Sequence, residues 1–403
     1  MRSLIVPLLA ASSLVAQAPF RAPSTPRGNV VDDYFGQKIA DPYRWLEDDN
    51  SQETKAWVEA QNRATQAFLE KIPARAAIAN RLTRLWNYEK FGAPFKRGRY
   101  YFYTHNSGLQ NQSVFFVTED PAREGRVLLD PNTLSADGTV ALSGFSPTED
   151  GKLLAYAISV AGSDWETWKV RDVQTGRDLP DEIRWAKSSG ASWLKDGSGF
   201  FYSRYDAPKA GDALKGVNQF HKIYFHKLGT GQEKDELVYE RRDHPDWYLG
   251  AEVSEDGRWL VIYGSQGTNP ESSVFLKDLK RSGSAVEPFL DRMDASYSVE
   301  DNEGDTFFVR TNLAAPRGRL VAITRGHTDP KVWKEVIPQA QGVLEGVSLV
   351  GGRFVAFWMK DAHTEVTFHG LNGKPLGNLA LPGLGRARRS EEHTSELQSL
   401  TDI

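Results

Sequence analysis

The period of the apolar positions changes near residue 90 of this 403-residue chain. Between Ser51 and Glu89, Trp57, Ala60, Ala64 and Phe68 recur at roughly helical spacing. Ile78, Leu82, Leu85 and Trp86 then repeat the i, i+4, i+7, i+8 arrangement of one helix face. The pattern predicts two helices, the first capped by Ser51 and the second set off by Pro73, which restricts Ile72. From Phe91 onward, short runs rich in Tyr, Phe, Val and Trp alternate with Asp-Gly, Gly-Gly and Thr-Gly dipeptides. That texture predicts strands joined by hairpins.

The strands repeat. A turn glycine followed by an aromatic or aliphatic run occurs at Gly98, Gly151, Gly197, Gly257, Gly304 and Gly352, in steps of roughly fifty residues, the blade period of a propeller. A second run usually follows each glycine, from Ser113–Val117 in the first unit to Glu365–Leu371 in the last. One small twisted sheet cannot bury both faces alone, so such units are stabilised by stacking around an axis. The expected fold is mainly β, about six blades behind a short helical lead-in. A β-sandwich or barrel with coincidental spacing is the competing architecture.

The two ends read differently. Met1-Arg2-Ser3, the apolar run Leu4–Ala16 and Ala16-Gln17-Ala18 before Pro19 form a charged start, a short hydrophobic stretch and a small-x-small cleavage pattern. Residues 1–18 are therefore expected to be a signal peptide, and the mature protein periplasmic or secreted. The run is too short for a comfortable membrane span. At the other end, Arg389-Ser390-Glu391-Glu392-His393-Thr394-Ser395-Glu396-Leu397-Gln398-Ser399 abandons the strand pattern. It matches the translation of a common sequencing-adapter oligonucleotide, so 389–403 are expected not to be natural sequence. A net charge of −4 argues against a nucleic-acid partner. The chain has no cysteine, hence no disulfide and no thiolate nucleophile or ligand.

Several stretches together resemble the prolyl oligopeptidase family of serine peptidases. The most specific is Asp41-Pro42-Tyr43-Arg44-Trp45-Leu46-Glu47-Asp48. Gly108-Leu109-Gln110-Asn111-Gln112, Leu129-Asp130-Pro131-Asn132, Asp137 to Leu142, Gly162-Ser163-Asp164-Trp165 and Gly250 to Gly257 follow in the family's order. The resemblance covers about Val31 to Pro382. It implies an incomplete seven-bladed β-propeller at 91–388, preceded by a helical segment (19–90) that packs on an α/β-hydrolase domain missing from this chain. It also implies hydrolysis of short peptides after proline by a Ser/His/Asp triad in that domain, with the propeller gating access and no cofactor. The full-length protein is expected to be a monomer, with no membrane partner.

No G-x-S-x-G elbow, the strained turn that exposes a hydrolase serine, occurs in the sequence. The chain as given is expected to be inactive. A stand-alone propeller that binds peptide or protein without catalysis is the rival reading.

Within the resemblance, Asp164, Trp165, Tyr248 and Thr268 are expected to face substrate, with Trp247 beside them. His221 and His226, five apart, are expected on opposite faces of a strand, and no metal site is expected. Glu255-Asp256 and Asp301 with Glu303 read as turn and solubility residues.

Overall fold

The computed structural model describes residues 20–209, 211–213 and 216–387. The expected signal peptide and adapter-like tail lie outside them. Two compact units are separated near Tyr88 and Glu89.

The first unit opens with a hairpin that periodicity did not announce, Val31–Tyr34 paired with Gln37–Ala40. Its two-residue turn needs left-handed backbone at both central positions, and Phe35 (φ 54°) and Gly36 (φ 90°) supply it. Phe-Gly lacks the Asn-Gly or Asp-Gly signature. Asp33 Oδ1 closes the turn by accepting from Gly36 N at 2.7 Å. The Asp41–Asp48 motif forms a 3-10 turn, Arg44–Glu47. Arg44 there donates to Asp41 at 2.6 Å and also bonds Asp32, tying the turn to the hairpin.

Helix α1 spans Gln52–Leu69 and α2 spans Arg75–Trp86. Ser51 caps α1 as expected, its hydroxyl accepting from Thr54 N at 3.1 Å. Replacing Ser51 by alanine is expected to cost this unit about 1 kcal/mol, read as a lower melting temperature by far-UV circular dichroism. The apolar stripe of α2 is uncovered: Ile78, Leu82, Leu85 and Trp86 are all exposed.

The second unit contains, among the described residues, six successive antiparallel blade sheets, the second and third joined edge to edge into one eight-stranded sheet. Each is a meander in chain order. The second sheet is Val140–Pro147, Leu153–Val160, Glu166–Asp172 and Asp178–Ala186. The third is Ser192–Trp193, Gly199–Arg204, Lys222–Lys227 and Glu236–Glu240. These two touch through one ladder pair, Ala186 with Arg204.

The second strand of each sheet explains why its sequence is almost continuously apolar. Side chains alternate across a strand, and here both faces are buried. Leu154 and Tyr156 enter the core shared with the first sheet, Ala155 and Ala157 the core shared with the third. Phe200 and Tyr202 face the second sheet, Phe201 the fourth. Leu260 and Ile262 face the third sheet, Trp259 and Val261 the fifth. Phe307 and Val309 face the fourth, Phe308 the sixth. Five interblade cores thus link the six sheets in order.

The first strands converge. A cavity of about 690 Å³ is lined by Arg97, Ser146, Ser192, Ala251, Ser298 and Val347, one residue from the inner edge of each sheet. Six sheets sharing one axial cavity form propeller blades and not a sandwich. The sixth blade also carries a cluster of Val350, Val355 and Val366 on its far face. Among the described residues, no core cluster joins that blade to the first.

Candidate functional site

Two regions of the propeller gather chemistry. The first is an aromatic and charged cluster built by the second, third and fourth blades. The loop after Leu153–Val160 turns through Ala161 (φ 52°) and Gly162 (φ 73°) and presents Asp164 and Trp165. The Trp165 ring meets Trp185 edge-on at 5.6 Å and Tyr205 at 6.2 Å. Its indole N–H donates to the Ala213 carbonyl at 2.7 Å. Lys187 Nζ lies 3.3 Å from Asp164 Oδ2 and 5.5 Å from the centre of the Trp165 ring. The exposed Asp164 carboxylate thus has a cation within its own propeller.

The cluster continues toward the fourth blade. Tyr205 stacks on His221 at 4.4 Å, and His221 meets Tyr248 edge-on at 6.1 Å. His221 Nδ1 accepts from Leu249 N at 3.0 Å, which leaves the proton on Nε2. Burial pushes the His221 pKa down to about 4, with a backbone bond at Lys187 opposing it, so this ring is neutral near pH 7. Burial and Tyr248 push Tyr205 up to about 12. Tyr205 and His221 are buried, so the surface the region presents is the Trp165 and Tyr248 rings beside the Asp164–Lys187 pair.

Of the four expected residues, the structure brings Asp164 and Trp165 together and connects them to Tyr248 through Tyr205 and His221. Thr268 is exposed after Gly267 and stands outside the cluster. Trp247 does not face outward. It is 4 % exposed, stacked on His244 at 4.1 Å with Arg241 over its ring, so it is blade packing. Sequence reasoning missed Trp185, Lys187, Tyr205 and the role of His221. The left-handed φ of Trp185 (63°) and Ser188 (51°), which re-aims this loop, has no Gly or Asn to signal it.

The second region is the axial cavity. Lys195 bridges Glu149 (3.1 Å) and Glu255 (3.3 Å) from neighbouring blades. Glu300, paired with Arg310 at 2.7 Å, has its pKa raised by burial. Asp301 is raised by burial and by the nearby Glu255 and Asp256. This corrects the reading of Asp301 and Glu303 as turn residues. Glu255 and Asp256 do sit in their turn, but Asp301 and Glu303 lie on the strand Tyr297–Glu303, and Glu255 and Asp301 also line the cavity.

The two histidines do point opposite ways. His226 bonds Asp181 of the second blade and His221 bonds Leu249 of the fourth. Among the described residues, no group of three or more His, Cys, Asp or Glu is arranged to hold a metal ion.

Six blades, the first of five strands and the others of four, surround a charged axial cavity and define a β-propeller. The chain belongs to the prolyl oligopeptidase family, matching the family model "Prolyl oligopeptidase, N-terminal beta-propeller domain" over residues 23–399. It is 42% identical over 365 residues to a prolyl endopeptidase of Elizabethkingia meningoseptica, covering 91% of this chain and 51% of that one. It is 33% identical over 410 residues to a dual function macrocyclase-peptidase of Galerina marginata, covering 93% and 55%.

Among solved structures, it matches one of two prolyl endopeptidases studied for inter-domain dynamics in catalysis and specificity. The TM-score there is 0.68 at 37% identity, over 91% of this chain and 53% of that one. It also matches prolyl oligopeptidase B from Galerina marginata, bound to a 35mer hydrolysis and macrocyclization substrate. That TM-score is 0.80 at 30% identity, over 91% and 55%. The chain spans about half the length of these relatives.

Proposed function

We propose that this chain is the lead-in and propeller of a serine endopeptidase that hydrolyses short peptides after proline, the propeller screening what reaches the catalytic centre. The observation that carries the reading is the 42% identity to a prolyl endopeptidase across 91% of the chain. In the family, the other half supplies the α/β-hydrolase domain with its Ser/His/Asp triad. The exposed stripe of α2 supports the expectation that residues 19–90 pack on that domain, since contiguous apolar side chains favour a covering partner. Asp164, Trp165, Tyr248 and Thr268 would face the substrate side. Export through the N-terminal segment would make the enzyme periplasmic or secreted.

The test is a chimera that joins this chain to the C-terminal half of the Elizabethkingia meningoseptica relative. The chimera should cleave a fluorogenic proline peptide, and this chain alone should not. In the chimera, Trp165→Ala should raise KM about fivefold with kcat little changed, as for a lost contact of about 1 kcal/mol. A folded chimera without turnover would overturn the peptidase reading. Tight peptide binding by this chain alone would then favour a stand-alone binding module.

A further inference from the structure

The most unusual buried group lies outside both regions. His226, on the third strand of the third blade, is fully buried. Its Nδ1 is 2.7 Å from Asp235 Oδ1 and its Nε2 is 3.0 Å from Asp181 Oδ1. Both carboxylates are as buried as the ring. Asp235 belongs to the same blade, just before Glu236–Glu240, whereas Asp181 comes from the outermost strand of the second blade.

We propose that His226, clamped between Asp181 and Asp235, is a proton-dependent clasp joining the second and third blades, closed near neutral pH and loosened as pH rises.

The chemistry forces a proton count. A neutral imidazole has one N–H and one lone pair. It would satisfy one carboxylate and turn its lone pair toward the other from hydrogen-bond distance. An imidazolium donates to both. Two further donors meet the carboxylates. Gly229 N donates to Asp181 Oδ1 at 2.6 Å, and Tyr202 O–H donates to Asp235 Oδ2 at 2.7 Å. Asp181 Oδ2 has no partner.

The other groups packed here do not supply the missing positive charge. Phe200 contributes a ring at 5.3 Å. Gln232 bonds the Tyr202 hydroxyl at 3.4 Å. Tyr202 is held protonated by burial and by Asp235, with Arg204 opposing from a distance. Burial pushes the His226 pKa down, but the hydrogen bonds and charges of Asp235 and Asp181 outweigh it, and the net shift is upward.

The sign follows. A histidine whose pKa is raised on folding contributes stability that is complete below its ordinary value and disappears as pH rises through the folded value. What loosens is an interblade joint. The second and third blades share one ladder pair. The turn that carries Gly229 and Asp235 is otherwise held to the second blade by Gln232, which bonds Arg184 N and O at 3.0 and 2.9 Å. The clasped strand runs on into Trp185 of the aromatic cluster.

The experiment uses the full chain. Nitrogen NMR of the His226 ring should show two N–H groups at pH 7. The exchange protection of the Gly229 amide should fall with rising pH, by about tenfold for each unit by which the folded pKa exceeds the ordinary one. His226→Gln should remove that pH dependence. Should that variant not fold, the native-chain measurements decide alone. One ring N–H at pH 7, with the proton on an aspartate, would overturn the proposal. So would Gly229 protection unchanged between pH 6 and 10.

Discussion

Trp259→Ala should lower the unfolding free energy of the propeller by about 3–5 kcal/mol, the range for truncating a large buried aromatic. Trp259 is fully buried and belongs to the core shared by the fourth and fifth blades. Its ring meets Phe307 edge-on at 5.5 Å and lies under Arg258 at 4.5 Å. Its indole N–H crosses to the Gly304 carbonyl of the next blade at 3.0 Å. Alanine would remove the packing and strand that carbonyl. Trp259→Phe keeps most of the packing and should cost less. Trp86, 61% exposed on α2, gives the contrast: its alanine variant should change stability little. Urea titrations would measure all three, and equal midpoints for Trp259→Ala and Trp86→Ala would contradict the interblade assignment.

Gly98→Ala is the second large effect, about 2–5 kcal/mol, and it has two separable parts. Gly98 sits at φ +55°, a conformation that costs a residue with a Cβ about 1–2 kcal/mol. A Cβ there would also fall 2.1 Å from the Asp150 carbonyl oxygen, and one at Gly151 would fall 2.4 Å from the Arg97 oxygen. The turns of the first two blades therefore seat backbone against backbone. Making room for a methyl needs a main-chain shift, which costs about 1–3 kcal/mol. Gly304 separates the parts. It has φ +60°, but nothing lies within 4 Å of the place a Cβ would take, so Gly304→Ala should show the conformational cost alone. Similar losses for both variants, measured by thermal unfolding, would show that the contact between the two blades contributes nothing.

The same glycines show how far the primary structure reached. All six repeat glycines, 98, 151, 197, 257, 304 and 352, adopt positive φ, because each closes the tight turn between the first and second strands of a blade. The aromatic runs after them form the doubly buried second strands, since an unbroken apolar run needs a core on each face. The Ser51 cap and the two helices likewise follow from local rules. The Val31–Ala40 hairpin escaped because Phe35-Gly36 carries no usual turn signature. Asp301 was misplaced because an acidic residue on an inner strand reads like one in a loop until the axial cavity beside it is known.

Local chemistry alone determined the blade period, the turn positions, the strand interiors and the family resemblance, because each depends on residues a few positions apart. Tertiary structure alone decided which distant groups share a dry environment. Asp181, His226 and Asp235 come from two blades, and Trp165, Tyr205, His221 and Tyr248 come from three. Their protonation and orientation depend on distances and burial that arise only when the blades stack around the axis.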